Sequence, residues 1–215
     1  MPYWHVNVPE HLRTAECPDF LANLGQRDFD IITTPDSDYE IDTWAVVLQK
    51  VAQNRLELFQ RKPSDLRRYI GFTWKLRRDY GSVMNFILSE RLRWELPIVP
   101  KGEKPFELEE DIKVLRNDWP YGIDQRIVHL VIWTKFPLVE DPATGDLTDQ
   151  ARGEIDEYVR KKFGCLDQNK VAWFRNWSVL KSVKSVEHFH VMLFDPDPRF
   201  VDEITGGDVP LCEKM

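Results

Sequence analysis

Two histidines near the end of the chain stand two residues apart in a segment that otherwise alternates between polar and apolar residues. Side chains two apart in a β-strand point to the same face of a sheet, so a strand over 183–194 places His188 and His190 on one face together with Met192. A third histidine, His129, opens another strand-like segment. Imidazoles gathered on one sheet face can act as a nucleophile, as an acid and a base, or as metal ligands.

A structural role is the alternative for each of these histidines, since an imidazole in a sheet is often simply hydrogen-bonded. As a set, His129, His188 and His190 offer an alternative site for a divalent metal such as zinc, copper or iron. The nearest acid, Glu187, alternates to the opposite strand face and supplies no carboxylate ligand. Our main expectation is therefore a site without a cofactor, with the metal site as the alternative.

The composition argues against several classes of partner. The chain has 215 residues, is 42% hydrophobic and carries a formal net charge of −7 at pH 7. Nucleic-acid binding depends on clustered lysine and arginine, so this charge argues against a nucleic-acid partner. One basic stretch runs from Arg61 to Arg78, but apolar residues interrupt it, and it predicts a solvated helix face.

The sequence gives weaker signals for the cellular compartment and the oligomeric state. The chain contains no run of about 18 apolar residues, which a membrane helix would need, and its start has no secretory signal pattern. Cys17, Cys165 and Cys212 are odd in number and have no CxxC spacing, which favours free thiols and no cysteine zinc site. We therefore expect a cytoplasmic protein with no membrane partner, and we leave a homodimer open.

Periodicity divides the chain into four parts of one globular unit. Residues 1–40 contain four prolines and little periodicity, which predicts an extended arm on the surface. Residues 41–100 show helical spacing: one helix ends before Pro63, Ser64 is the expected N-cap of the next, and a third follows the Tyr80–Gly81 break. Residues 101–200 form an α+β domain, and residues 201–215 form a C-terminal tail.

The α+β part is predicted to contain four strands and one helix. The strands are expected at 112–116, 126–133, 170–175 and 183–194. The helix lies between the second and third strands, with Thr148 as its cap and Gly164 at its end. An antiparallel sheet with flanking helices, preceded by a helical extension, is therefore the predicted fold.

The C-terminal half resembles the histidine-triad superfamily of nucleotide hydrolases and transferases. Ser185 to Leu193 is similar to that family's signature strand, in which a serine precedes three alternating histidines. The segment from His129 to Lys135 is similar to a second family strand, and Leu115 to Pro120 to a turn that contacts a ribose. This resemblance implies a histidine-triad-like sheet over 101–200 and a nucleotide, nucleotide sugar or other phosphorylated small molecule as ligand.

The resemblance also implies roles for single residues. His190 becomes the nucleophile that attacks phosphorus, and His188 becomes the first member of the triad. Asn176 and Ser185 become donors to phosphate oxygens, and His129 becomes the neighbour that orients His188. A neutral imidazole is a good nucleophile near pH 7, which agrees with these assignments.

Three further positions complete the predicted ligand-binding set. Asp118 corresponds to the ribose contact, and Lys181, or alternatively Lys184, is the candidate phosphate contact in a loop that lacks the family's glycines. The third triad position is Met192, where the family has a histidine or glutamine that donates a hydrogen bond. A thioether donates nothing, and the loss of one such donor costs roughly 3 to 4 kcal/mol of transition-state stabilisation. Hydrolase or transferase activity with this incomplete triad is left open.

Over most of its length the chain resembles the fungal N-acetylglucosamine-induced protein family. The segments that carry this resemblance are Asp65–Tyr69, Asp79–Val83, Arg91–Trp94, Asn117–Tyr121 and Glu187–His190. Two other functions stay open beside the phosphorylated-ligand hypothesis. One is an enzyme of amino-sugar or secondary metabolism that uses the three histidines for metal or acid–base chemistry. The other is a non-catalytic regulatory protein whose helical first half binds a partner.

Overall fold

Four antiparallel strands form the sheet that carries the histidines. The computed structural model describes residues 1–176 and 186–214. The strand order is β1-β2-β4-β3, where β1 is Ile112–Arg116, β2 is Ile127–Thr134, β3 is Val171–Phe174 and β4 is Glu187–Phe194. These bounds confirm the predicted strands to within one residue, except at 183–185, which lie outside the described residues. The α+β class with an antiparallel sheet is confirmed.

One face of the sheet packs on a helix, α5 (Asp149–Lys162). Phe189, Val191 and Leu193 of β4 belong to this core, which also contains Ile155 and Val159 of α5. Thr148 caps the helix by accepting a hydrogen bond from the backbone N–H of Ala151 at 3.2 Å, as the sequence predicted. Gly164 follows the last turn, where an added Cβ would collide with the carbonyl oxygen of Arg160.

The helical first half covers the opposite face, which carries His188 and His190 and is called the histidine face below. Its helices are α2 (Trp44–Ala52), α3 (Pro63–Tyr80) and α4 (Val83–Phe86), and α4 continues into a π-helical segment over Ile87–Leu92. Leu76, Phe86 and Ile87 pack against Leu115, Val131 and Trp133 of the sheet. The histidines therefore lie between two layers rather than on an open surface.

Two helix boundaries differ from the predictions. The first predicted helix ends at Ala52, and a separate 3₁₀ turn occupies Leu56–Leu58. The predicted N-cap at Ser64 is wrong, because α3 begins one residue earlier with Pro63 in its first turn. Proline favours this position, since its fixed φ suits a helix and its missing N–H has no partner there anyway. The N–H of Ser64 instead donates to Oδ1 of Asp36 at 3.0 Å.

The N-terminal forty residues are more ordered than the predicted extended arm. They contain a helix, α1 (Gln26–Ile32), and several 3₁₀ turns. The Tyr3 hydroxyl donates to the carbonyl of Leu21 at 2.7 Å, and Ile31 and Ile32 pack on Leu66 of α3. Tertiary packing of these few apolar residues, which show no long period in the sequence, holds the segment on the helical layer.

The C-terminal segment also returns to the fold instead of forming a tail. Helix α6 (Pro198–Thr205) crosses the predicted boundary at residue 200, and its Val201 is buried. Beyond it, Asp208 accepts two hydrogen bonds from Arg91, at 2.7 and 2.8 Å, and one from the backbone N–H of Arg116 at 3.0 Å. Among the helices formed by the described residues, none combines the length and apolar character that a bilayer crossing requires.

Candidate functional site

A hydrogen-bonded pair of buried imidazoles forms the centre of the candidate site. Nε2 of His129 lies 3.0 Å from Nδ1 of His190, and Nδ2 of Asn176 lies 3.1 Å from Nε2 of His190. Because an amide NH₂ group only donates, Nε2 of His190 accepts and the proton of the neutral ring sits on Nδ1. His190 then donates to Nε2 of His129, and the orientation of one amide fixes the tautomers of both rings.

Strand register explains why these two rings meet. His129 in β2 lies opposite Met192 in β4, and His190 lies opposite Val131. The two histidines are therefore diagonal neighbours on one face, with ring centroids 5.1 Å apart. The prediction that His129 orients His188 is wrong, since His188 lies two residues before His190 in β4, opposite Trp133 and away from His129.

Asn117, in the turn after β1, lies against the ring of His129. Its Nδ2 lies 3.2 Å from Nε2 and 3.3 Å from Nδ1 of the ring. The side chain is itself fixed, because its Oδ1 accepts from the backbone N–H of Trp119 at 2.9 Å and its backbone N–H donates to the carbonyl of His129 at 2.8 Å. This turn therefore positions both the imidazole and Trp119.

His188 is oriented by its own strand. Its Nδ1 lies 2.9 Å from the carbonyl oxygen of Val186, so the ring donates from Nδ1 and in its neutral form carries its lone pair on Nε2. The ring of Trp133 lies alongside, with centroids 4.4 Å apart. The backbone, rather than another side chain, thus sets the tautomer of His188.

Burial keeps the imidazole pair neutral. His129 and His190 are 4% and 6% exposed. Burial, with a smaller contribution from the positive charge of Arg61, lowers the pKa of His129 to about 3. Burial also lowers the pKa of His190 well below its usual range, with His129, His188 and Arg61 opposing a charge on it. Near pH 7 both rings are therefore uncharged and act as hydrogen-bonding groups.

A cavity of about 190 Å³ opens between the histidine face and the helical layer. Its wall includes four of the predicted site residues that the structure describes, which are Asp118, Asn176, His188 and His190. Aromatic side chains supply much of the remaining wall, among them Tyr69, Phe72, Trp119, Tyr121 and Trp133. Such a mixture of apolar walls and a few convergent polar groups is typical of small-molecule sites.

Asp118 lies in the cavity wall, but its carboxylate is already engaged. Its two oxygens accept from Arg91, each at 2.9 Å, and one of them also accepts from the backbone N–H of Leu211 at 3.0 Å. Burial raises its pKa, and Arg91 opposes that effect. These contacts join the turn after β1 to the C-terminal segment, and a ribose contact at Asp118 would have to compete with them.

Comparison with known proteins places this architecture in a family. The family described as "Protein of unknown function (DUF3605)" matches residues 43–194. The chain belongs to the DUF3605 family. N-acetylglucosamine-induced protein 1 of Candida albicans is 29% identical over 185 residues, which cover 77% of this chain and 73% of that protein. An uncharacterised protein of Saccharomyces cerevisiae is 30% identical over 133 residues, covering 59% of this chain and 67% of the relative.

A solved structure is similar in fold. The crystal structure of HTC1 matches with a TM-score of 0.63 at 24% sequence identity, over 79% of this chain and 98% of that chain. The family match and the Candida relative support the resemblance to the fungal N-acetylglucosamine-induced protein family. In this DUF3605 member every residue of the cavity wall, from Arg61 to His190, falls inside the family match, whereas Asp208 and Leu211 lie beyond it.

Met192, the predicted third triad position, does not line the cavity of this DUF3605 member. It is fully buried, in an apolar cluster that includes Val47, Phe59 and Phe174. The face assignment from the sequence is right, because Met192 shares its face with His190. The cavity ends short of it, since α2 and the Leu56–Leu58 turn fill the space in front of this end of β4.

Two predicted ligand contacts, Lys181 and Ser185, lie outside the described residues. The alternative metal site can be compared with the side-chain positions in residues 1–176 and 186–214. No three histidine, cysteine, aspartate or glutamate side chains there surround a common point. Nε2 of His129 and Nδ1 of His190 are hydrogen-bonded to each other, so a metal shared by the two rings would require one of them to turn.

The sequence reasoning missed Arg61, Asn117 and Trp119 as parts of the site. Asn117 and Trp119 stand beside Asp118 in the turn that the family resemblance had singled out, so their place was available as a signal. Arg61 was assigned to a solvated helix face, yet it lies in the cavity wall. Nothing local distinguishes it from the other arginines of that basic stretch, because its role depends on tertiary contacts.

Proposed function

We propose that the cavity binds a nucleotide, a nucleotide sugar or another phosphorylated small molecule, in the manner of a divergent histidine-triad protein. The observation that carries this proposal is the meeting of His188, His190 and Asn176 with Arg61 in the wall of one cavity. The amide of Asn176 can donate to a phosphate oxygen, and the guanidinium of Arg61 can donate to a second oxygen and balance the negative charge.

The size of the cavity narrows the ligand. A volume of about 190 Å³ is smaller than the ~300–1,000 Å³ of sites that enclose a drug-sized molecule. A sugar phosphate, or the phosphate-bearing end of a nucleotide, suits that space. The aromatic wall offers flat apolar surface to a base or to the apolar face of a sugar ring. The name of the Candida relative refers to N-acetylglucosamine, which adds amino-sugar phosphates and nucleotide sugars to the compounds worth testing.

Phosphoryl or nucleotidyl transfer is the second candidate, and the fixed tautomer of His190 favours it. Its Nε2 carries the lone pair and accepts from Nδ2 of Asn176. A phosphate oxygen that took over this amide donor would release the lone pair of Nε2. Attack on phosphorus would then form the N–P bond while the bond to the leaving group breaks, and water would hydrolyse the phosphorylated imidazole. The free cysteines, Cys17, Cys165 and Cys212, accord with our proposal of a cytoplasmic setting.

The test of binding is calorimetric titration with adenosine and uridine nucleotides, UDP-N-acetylglucosamine and N-acetylglucosamine 6-phosphate. Wild-type protein should bind at least one of them, and Asn176→Ala should weaken that binding about tenfold, the effect of losing about 1.4 kcal/mol of hydrogen bonding. Asn169→Ala is the matched control, because Asn169 is exposed and outside the cavity wall. Absence of binding at millimolar ligand for the whole set would overturn the proposal.

Turnover separates the two candidates. If phosphorus is transferred, His190→Ala should abolish release of product from the compound that binds, whereas His11→Ala, at an exposed position, should retain it. Binding without any turnover would instead support a non-catalytic regulatory role. Turnover that survives in His190→Ala but requires added divalent metal would favour the metal or acid–base alternative.

A further inference from the structure

Arg61 lies just before α3 and reaches the cavity over two tyrosines. Its guanidinium carbon is 4.0 Å from the ring centroid of Tyr69 and 5.6 Å from that of Tyr121. Its Nε donates to the carbonyl oxygen of Trp119 at 2.9 Å. Stacking and this single hydrogen bond hold the guanidinium plane in place, while the two terminal nitrogens form no hydrogen bond to any described residue.

Arg61 differs in charge balance from the other arginines of the wall. Arg91 is paired with two carboxylates, and Arg116 is paired with Asp202 at 3.3 Å. Within 1–176 and 186–214, Arg61 has no carboxylate within ion-pairing distance. Its charge acts on the site all the same, since it is among the causes, after burial, that lower the pKa of both His129 and His190.

Two buried polar atoms of neighbouring wall residues are also unsatisfied within the described part of the chain. Trp119 is 4% exposed and Nε1 of its indole has no hydrogen-bond partner there, although its carbonyl oxygen binds Arg61. Asn176 is 6% exposed and its Oδ1 is likewise without a partner. Buried donors and acceptors are rarely left unpaired in native proteins, so such groups beside a cavity indicate a missing partner such as a ligand.

We propose that Arg61 is the anion-binding residue of the cavity and that the indole N–H of Trp119 donates to the same anionic group. This inference rests on the proposed function and adds to it where the charged group of the ligand binds. The ligand class is thereby narrowed to small molecules with a phosphate or similar oxyanion at the Arg61 side and an uncharged part against the aromatic wall. Arg61 belongs to the helical extension, so the first half of the chain supplies part of the site.

The experiment compares ligands that differ only in the phosphate. Adenosine 5′-monophosphate and adenosine are titrated separately into the 215-residue protein, and so are N-acetylglucosamine 6-phosphate and N-acetylglucosamine. We expect wild-type protein to prefer the phosphorylated member of at least one pair. Arg61→Met keeps an apolar stem on the two tyrosines but removes the charge, and it should lower affinity for the phosphorylated member by about 10- to 100-fold, the effect of one charge-assisted hydrogen-bonded contact.

Two further variants make the result specific. Arg61→Lys retains the charge and should keep part of the preference, while Arg199→Met removes an arginine that is 92% exposed and should keep all of it. Should wild-type protein bind no phosphorylated compound, the proposed function itself fails and the inference fails with it. Should wild-type protein bind and Arg61→Met retain the full preference, the proposed function stands and Arg61 is not the anion contact.

A measurement on wild-type protein guards against a folding defect in the variants. The indole N–H resonance of Trp119, assigned by its absence in Trp119→Phe, is followed by two-dimensional NMR. It should shift on addition of the phosphorylated compound that binds and stay in place with the unphosphorylated partner. An equal shift with both compounds, or no shift with either, would overturn the role of Trp119 as a donor to the anion.

Discussion

His129 and His190 are 61 residues apart in the chain, yet Nε2 of one lies 3.0 Å from Nδ1 of the other. The contact joins the two central strands of the sheet, β2 and β4, beneath the helical layer. Burial keeps both rings neutral, because an imidazolium at either position would lie beside Arg61 without a described carboxylate to balance it. The pair therefore links the stability of the fold to pH.

The first prediction is a loss of stability in weak acid. The pKa of His129 is about 3 in the folded protein, against about 6.5 in an unfolded chain. Below pH 6.5 the unfolded chain gains a proton that the folded protein does not accept, so the free energy of unfolding falls as pH falls, by up to about 1.4 kcal/mol per pH unit for this histidine. Above pH 6.5 both states are neutral at this site and the effect vanishes.

Urea denaturation between pH 7 and pH 5 measures this slope. His129→Gln retains a hydrogen-bonding side chain without a titrating group, and its free energy of unfolding should depend less steeply on pH than that of wild-type protein. His11→Gln, at an exposed position, is the matched control for the loss of a histidine. Equal slopes for His129→Gln and wild-type protein would show that His129 does not remain neutral on folding.

The second prediction concerns Arg91, which joins Asp118 to Asp208. Side-chain exposure is 8% for Arg91, 16% for Asp118 and 9% for Asp208, so all three charges are largely buried. Arg91→Met leaves two carboxylates close together without a counter-charge and should lower the free energy of unfolding by about 3 to 5 kcal/mol. The exposed Arg199→Met should leave the denaturation midpoint unchanged. A similar midpoint for both variants would contradict a structural role for the cluster.

The alternating pattern of β4 was readable from the sequence, because strand side chains alternate with a period of two whatever the strand pairs with. His188, His190 and Met192 on one face, with Phe189, Val191 and Leu193 on the other, followed from that period alone. The partner of His129 did not follow, since a shift of two residues in register would place a different histidine beside it. Register depends on the whole sheet.

Arg61 and the N-terminal region show a second limit. A basic stretch with apolar residues between its charges usually indicates a solvated helix, and most of its members obey that rule. Arg61 differs through its contacts with Trp119 and Tyr121, which are about sixty residues away in sequence. Likewise α1 has only seven residues and depends on packing against α3, so its sequence is too short to show a helical hydrophobic period.

The third prediction concerns Met192. Its side chain is fully buried among apolar residues that include Phe59 and Phe174. Met192→His places an imidazole in this cluster and should lower the free energy of unfolding by roughly 1 to 3 kcal/mol, whereas Met192→Leu should cost less than about 1.5 kcal/mol. Thermal and urea unfolding of both variants are the measurement. A stable Met192→His protein with increased turnover would show that position 192 can reach the reacting group after all.

The last prediction tests the hydrogen bond between Asn176 and His190. In wild-type protein burial, together with the charges around it, keeps the pKa of His190 well below its usual range, so its Cε1–H resonance should not titrate between pH 8 and pH 5.5. Asn176→Asp replaces the amide donor by a carboxylate that only accepts. A negative charge beside Nε2 favours the imidazolium, so the pKa of His190 should rise and the resonance should titrate within that range. Tyr121→Phe removes the other hydrogen-bond partner of the amide, which is 3.2 Å away, without changing the charge. In this control variant the resonance of His190 should not titrate. Titration of His190 in wild-type protein would contradict its neutral, doubly hydrogen-bonded state.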